Sequence, residues 1–252
     1  MSFLGTVIGA TIGMFLGGPL GAIAGAAFGS MASSGNSDKY SARYGQRMSS
    51  TEHAQVTFYV GVFSMLAKLA QVDGEVSDAE RAKIEEFMAQ DLRLDEPTRQ
   101  SARRIFDTAL SSGETFHSIA NQFYREFRYQ PQFFELMIDI MIRVSTADSR
   151  GLTPQEETLI VDAVHIFRIS EGRYQQLKSR HVQQTSNFYS VLGCSPSDGD
   201  DAVKKAYRRL VNEYHPDKIA SRGLPEEFEK LAADKFREIQ QAYEAIRRER
   251  GF

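Results

Sequence analysis

The chain has one cysteine, Cys194, among 252 residues. That excludes an intramolecular disulfide and any zinc site built from cysteine pairs. It has no basic excess: 30 Lys and Arg face 33 Asp and Glu, for a net charge of −3. Binding of nucleic acid through a basic surface is therefore not expected. No stretch of useful length alternates apolar with polar residues, which gives no basis for a sheet and predicts an all-α fold. Met1-Ser2-Phe3 carries no basic side chain, and a secretory signal peptide needs one. P-loop, glycine-rich nucleotide fingerprint and nucleophile motif are all missing. The chain is expected neither to be an enzyme nor to hold a cofactor.

Charge itself is missing from residues 1–37, whereas residues 52–172 carry 12 basic and 20 acidic side chains and residues 187–252 carry 12 of each. Three regimes of composition mark three segments. In the first, Gly5, Gly9, Gly13, Gly17, Gly21, Gly25 and Gly29 recur at every fourth position. Thirty residues of helix would extend ~45 Å, beyond the ~30 Å hydrocarbon core of a bilayer. A row of glycines at this spacing lets a second helix backbone approach closely, which predicts a homodimer through this helix. Gly17-Gly18-Pro19 is the weak point, where the helix should kink. Lys39, Arg43 and Arg47 follow, opposed only by Asp38. The positive-inside rule then puts the N-terminus outside and the bulk of the chain in the cytoplasm. The segment reads as a single-pass anchor, residues 1–37, with a juxtamembrane linker at 38–51. The competing reading is a flexible glycine-rich tail, since glycine lowers helix propensity.

Residues 52–172 read as an all-helical domain. Phe58, Val62, Met65, Leu66 and Leu69 form a helix-period stripe, as do Ile84, Phe87 and Met88. Phe133, Phe134, Met137, Ile138, Met141 and Ile142 make a wider apolar face, suited to a helix buried on most sides. A weak repeat is present: Asp73-Gly74-Glu75-Val76-Ser77 leads to Glu80, and Asp148 to Gly151-Leu152-Thr153 and Glu156. In each copy the hydroxyl residue lies three before Glu, the spacing of a capping box. The sharper alternative is metal binding by Asp73, Glu80, Asp148 and Glu156. An EF-hand register that puts Glu80 at position twelve leaves Leu69 and Gln71 where ligands belong, so capping is the better account. His117 and His165 lack ligand-spaced partners. The paired corners resemble those of the TerB-like helical domain, some members of which are thought to bind metal through acidic loops.

The third segment, residues 187–252, follows a glutamine-rich connector at 173–186. Val203, Tyr207, Leu210, Val211 and Tyr214 share one helix face, and Lys204, Lys205, Arg208 and Arg209 fall mainly on the others. Asp200 and Asp201 are placed to cap that helix and favour its start. Pro216 disfavours helical angles at His215 and breaks the chain out of helix there. A second helix follows Pro225, with a stripe of Phe228, Leu231, Phe236, Ile239, Tyr243 and Ile246. Two such helices bury their stripes together as an antiparallel hairpin. His215-Pro216-Asp217 is left at the tip.

The turn Tyr189-Ser-Val191-Leu192-Gly193, the run Ala206-Tyr207-Arg208-Arg209-Leu210, His215-Pro216-Asp217-Lys218 and Phe236-x-x-Ile239-x-x-Ala242-Tyr243-Glu244 resemble a DnaJ-type J domain in order and spacing. The whole chain resembles the membrane-anchored DjlA group: anchor, TerB-like domain, J domain. The resemblance implies a bacterial inner-membrane co-chaperone that stimulates ATP hydrolysis by a DnaK-type chaperone. His215, Pro216 and Asp217 would touch that partner, and Lys204, Lys205, Arg208 and Arg209 would meet an acidic patch on it. Gly/Phe-rich and repeated-cysteine modules, which serve client binding in DnaJ, do not occur. The second functional reading is a membrane stress or metal-response protein acting through the acidic TerB-like domain.

Overall fold

The computed structural model describes residues 16–33, 50–147, 151–182, 188–220 and 223–252, and every regular element among them is a helix. Gly5, Gly9, Gly13 and Asp148 lie outside the described residues. The chain divides into two compact units. One holds the helices up to Phe127 together with Gly223–Pro225, and the other runs from Gln130 through the C-terminal helices.

In the first unit, α1 (Gly18–Ser33), α2 (Ser50–Ala70), α3 (Asp78–Glu86), α4 (Glu96–Ser111) and α5 (Phe116–Phe127) surround one core. The central element is α2, buried on almost every side from Val56 to Ala67. Its expected stripe, Phe58 to Leu69, lies wholly within the core. Close approach of α5 to α2 depends on Gly61, because a Cβ there would sit 2.5 Å from the Phe123 ring. The helix α3 passes directly into a wider turn, Phe87–Asp91, in which the Leu92 N–H donates to the Phe87 carbonyl at 3.0 Å.

The expected break at Gly17-Gly18-Pro19 is present. Gly17 and Gly18 have φ of 48° and 60°, and α1 starts at Gly18. Leu20, Ile23, Ala24 and Phe28 of α1 are buried, and α1 packs on α2, α4 and α5. Gln122 of α5 organises its start: the side-chain amide donates to the carbonyls of Leu16 and Gly17 at 3.1 and 2.9 Å, and its oxygen accepts from the Leu20 N–H at 2.9 Å. With 16 residues, α1 rises about 24 Å. No helix among the described residues is long and apolar enough to cross a membrane.

The second unit contains α6 (Pro131–Ser145), α7 (Pro154–Ile166), α8 (Glu171–Val182), α9 (Phe188–Leu192), α10 (Asp200–Glu213), α11 (Pro216–Ala220) and α12 (Glu226–Arg250). All six residues of the wide apolar face on α6 are buried, and Phe134 stacks on Phe167 with centroids 4.9 Å apart.

Both expected capping boxes form. Ser77 caps α3 with Glu80 reaching back to it, and Thr153 caps α7 with Glu156 doing the same. Gly74 and Gly151, with φ of 130° and 68°, turn the chain before each. These bonds account for Glu80 and Glu156. Among the described residues, no three His, Cys, Asp or Glu side chains converge as a metal site. Thr153→Ala should cost about 1 kcal/mol and Thr153→Gly only a few tenths, read from urea midpoints by circular dichroism. Equal losses for the two would contradict the cap.

Candidate functional site

The C-terminal module is built on the expected hairpin. Val203 and Leu210 of α10 and its C-cap Tyr214 are buried, as are Phe228, Leu231, Ile239 and Ile246 of α12. Small residues on the same faces, Ala206, Ala232 and Ala242, let the helices close on each other. Tyr207 and Tyr243 stack across the seam with centroids 3.8 Å apart and planes 6° from parallel. The start of α10 differs in detail from expectation: Gly199 occupies the N-cap, and Asp200 and Asp201 fall in the first turn.

At one end of the hairpin the chain leaves helix at Tyr214 and His215, then resumes as α11 from Pro216. The break is held by several small contacts. The His215 ring meets the Phe236 ring edge-to-face, with centroids 6.0 Å apart. Its Nδ1 accepts from the Asp217 N–H at 3.3 Å, so a neutral ring carries its proton on Nε2. The Lys218 N–H donates to the His215 carbonyl at 2.9 Å, and its ammonium pairs with the Asn212 side-chain oxygen. The Asp217 side chain is 89 % exposed and that of His215 42 %. One acceptor and one donor are thus presented to solvent on a short stiff turn.

The four cations of α10 do not behave as one face. Lys205 and Arg208 are exposed. Lys204 lies over the Phe252 ring, its Nζ 4.5 Å from the centroid. Arg209 turns aside: its Nη2 donates to the Gln176 oxygen of α8 at 2.6 Å, and its Nε stands 3.6 Å from Glu213.

Near the same end of α10 lies a polar layer that sequence reasoning missed. Arg173 of α8, 7 % exposed, pairs with both Glu135 of α6 and Glu213 of α10. Burial works against its charge, and the two carboxylates override that and raise its pKa. Burial first, and then the neighbouring Glu135 charge, push the Glu213 carboxyl up to about 7. The Asp139 carboxylate, on the apolar face of α6, accepts from His181 Nε2–H at 2.8 Å. Burial opposes its ionisation, but Lys235, His181 and Arg180 together hold the carboxyl far below its ordinary range. The signal was an isolated acid within a wide apolar face.

The other end of the module is fastened by Arg250, also unanticipated as a structural residue. Its guanidinium donates to Tyr189 Oη, the carbonyls of Asp198 and Pro196, and Asp200 Oδ1 at 2.7–3.0 Å. It thereby ties the last turn of α12 to the loop that starts α10.

Comparison with known proteins covers nearly the whole chain. The co-chaperone DjlA transmembrane domain matches residues 1–39, tellurite resistance protein TerB residues 60–179, and the DnaJ domain residues 187–250. A co-chaperone protein DjlA of Coxiella burnetii is 29 % identical over 219 residues, covering 80 % of this chain and 81 % of that protein. The Escherichia coli K12 protein of the same name is 26 % identical over 239 residues, covering 85 % and 88 %. That of Photobacterium profundum is 26 % identical over 232 residues, with 83 % of each covered. No solved structure matches the chain.

Proposed function

Because this chain belongs to the DjlA group of DnaJ-like co-chaperones, we propose that it recruits a DnaK-type chaperone to the bacterial inner membrane and stimulates its ATP hydrolysis through His215, Pro216 and Asp217. The observation that carries this is the solvent-facing His215–Asp217 turn, pinned between α10 and α12. A partner that binds there meets a preformed turn and loses little conformational entropy. Lys205 and Arg208 are exposed on α10, the helix that leads to this turn, and cations so placed steer an acidic partner surface into encounter. Lys204 and Arg209 complete the partner face, within a J domain at 187–252. The ATP and its chemistry belong to the partner.

The full-length protein in detergent, added to a purified DnaK-type chaperone, is expected to accelerate ATP turnover, and less so as salt rises. Unchanged turnover overturns the proposal. Tight divalent-cation binding that raises the melting temperature, with turnover unchanged, would favour the stress or metal-response reading through the domain at 52–172.

The anchor reading concerns residues 1–37 and is supported by their lack of charge and by the family match at 1–39. We place the N-terminus outside and the rest in the cytoplasm, with the chains paired along the glycine row. Replacing Gly5, Gly9 and Gly13 together by Leu, which leaves the packed start of α1 untouched, should shift detergent-solubilised dimers to monomers at equal protein concentration. An unchanged sedimentation profile would remove the pairing.

A further inference from the structure

We infer that α6 and α8 of the helical domain clasp the J domain through α10, and that this clasp competes with the partner chaperone for Arg209. The inference rests on the co-chaperone reading above and adds to it a built-in restraint.

Three contacts make the clasp. Arg173 is shared between Glu135 on the helical-domain side and Glu213 on the J-domain side. Gln176, one turn further along α8, accepts the Arg209 hydrogen bond. The Gln176 stem lies against the turn after α9, where a Cβ on Gly193 would be 3.1 Å from its Cβ and Cγ. Arg209 is thus the one member of the basic set whose guanidinium is taken up by the neighbouring domain, whereas Lys205, Arg208, His215 and Asp217 keep their solvent access. A partner can meet the tip while the clasp is closed. It gains Arg209 only when α8 lets go.

The same interface is built to let go. A buried polar layer is strong only if every group is paired, and each unpaired member costs desolvation without return. Here the Tyr214 hydroxyl and the Arg180 guanidinium nitrogens are buried without hydrogen-bond partners among the described residues. Arg209 and Arg173 also stand close enough that their like charges oppose each other. A contact whose ion pairs are offset by buried groups that lack hydrogen bonds offers specificity of position with little net stability. Such a restraint lowers the apparent affinity for the partner, because closed molecules bind without Arg209 and only open ones bind at full strength.

The test is the concentration of full-length protein that half-saturates stimulation of a DnaK-type ATPase. Arg173→Ala should lower it about fivefold and Gln176→Ala about twofold, the competent fraction rising in each case. Gln176 is half-buried and its truncation leaves the core intact, so it covers the case of an Arg173→Ala protein that fails to fold. Adding the partner to wild-type protein should also speed amide hydrogen exchange across residues 171–181. Stimulation by wild type but not by His215→Gln, with half-saturation unchanged or raised in Gln176→Ala, overturns the clasp and leaves the co-chaperone reading standing. Absence of stimulation by wild type overturns both.

Discussion

His215→Gln in the full-length protein should reduce stimulation of a DnaK-type ATPase to background while leaving the fold in place. Glutamine keeps a donor and an acceptor, so hydrogen-bonding capacity alone does not distinguish the two side chains. What is lost is the planar ring that rests edge-on against Phe236 and accepts from the Asp217 N–H. Without it the turn has more conformations to lose on binding, and the partner meets a looser surface. Nearly half of the side chain is solvent-exposed, so stability should change by no more than about 0.5 kcal/mol. Stimulation within a factor of two of wild type, with an unchanged melting curve, would remove His215 from the partner surface. Pro216→Ala should give an intermediate loss, because it restores helical freedom at His215 without touching either polar side chain.

A second large effect is expected in the first unit, where α2 and α5 meet. Phe123 is fully buried, its ring centroid 5.5 Å from Phe58 and 4.7 Å from Phe127. Phe123→Ala should cost about 3–5 kcal/mol, combining lost transfer energy and a cavity. Gly61→Ala tests the same contact from the other side. Alanine gains about 1 kcal/mol of helix propensity over glycine. A methyl placed 2.5 Å from the Phe123 ring must nevertheless push that ring into its aromatic neighbours, and overpacking of this kind costs about 1–3 kcal/mol. The net result should be destabilising. Combining Gly61→Ala with Phe123→Leu should cost less than the two changes summed, with a coupling of about 0.5–3 kcal/mol. Strict additivity in urea denaturation would show that the contact is not shared.

Much of this architecture can be read from periodicity and punctuation. The stripes on α2, α6, α10 and α12 follow a helix period, and Pro216, the Ser77 and Thr153 caps and the Gly17-Gly18 break sit where their chemistry requires. The tip of the hairpin was legible for the same reason, since a proline between two helical patterns leaves few conformations. The polar layer was not. Arg173 and Gln176 lie in a segment that reads as a connector, and their partners, Glu135 and Glu213 for the first and Arg209 for the second, are far away in sequence. Helical pattern says that a position is polar, but not which distant polar residue it meets. Arg209 shows the limit most clearly: sequence groups it with three other cations, and packing sets it apart. Gln122 was equally hidden, because a glutamine on an amphipathic helix gives no sign that it caps a segment about a hundred residues earlier.

The wide turn at Phe87–Asp91 holds one residue more than an α-helix would, and it decides where Leu92 and Leu94 end up. Both are buried, with Arg93 between them at a φ of 51° and the Leu94 N–H returning to the Met88 carbonyl at 2.9 Å. Deleting a single residue there would regularise the helix yet swing everything after it by about 100° around the axis. The two leucines would leave the core although no favourable side chain had been removed. This stretch should therefore resist insertions and deletions far more than its ordinary composition suggests, and length changes among related chains should collect in the loops on either side of it.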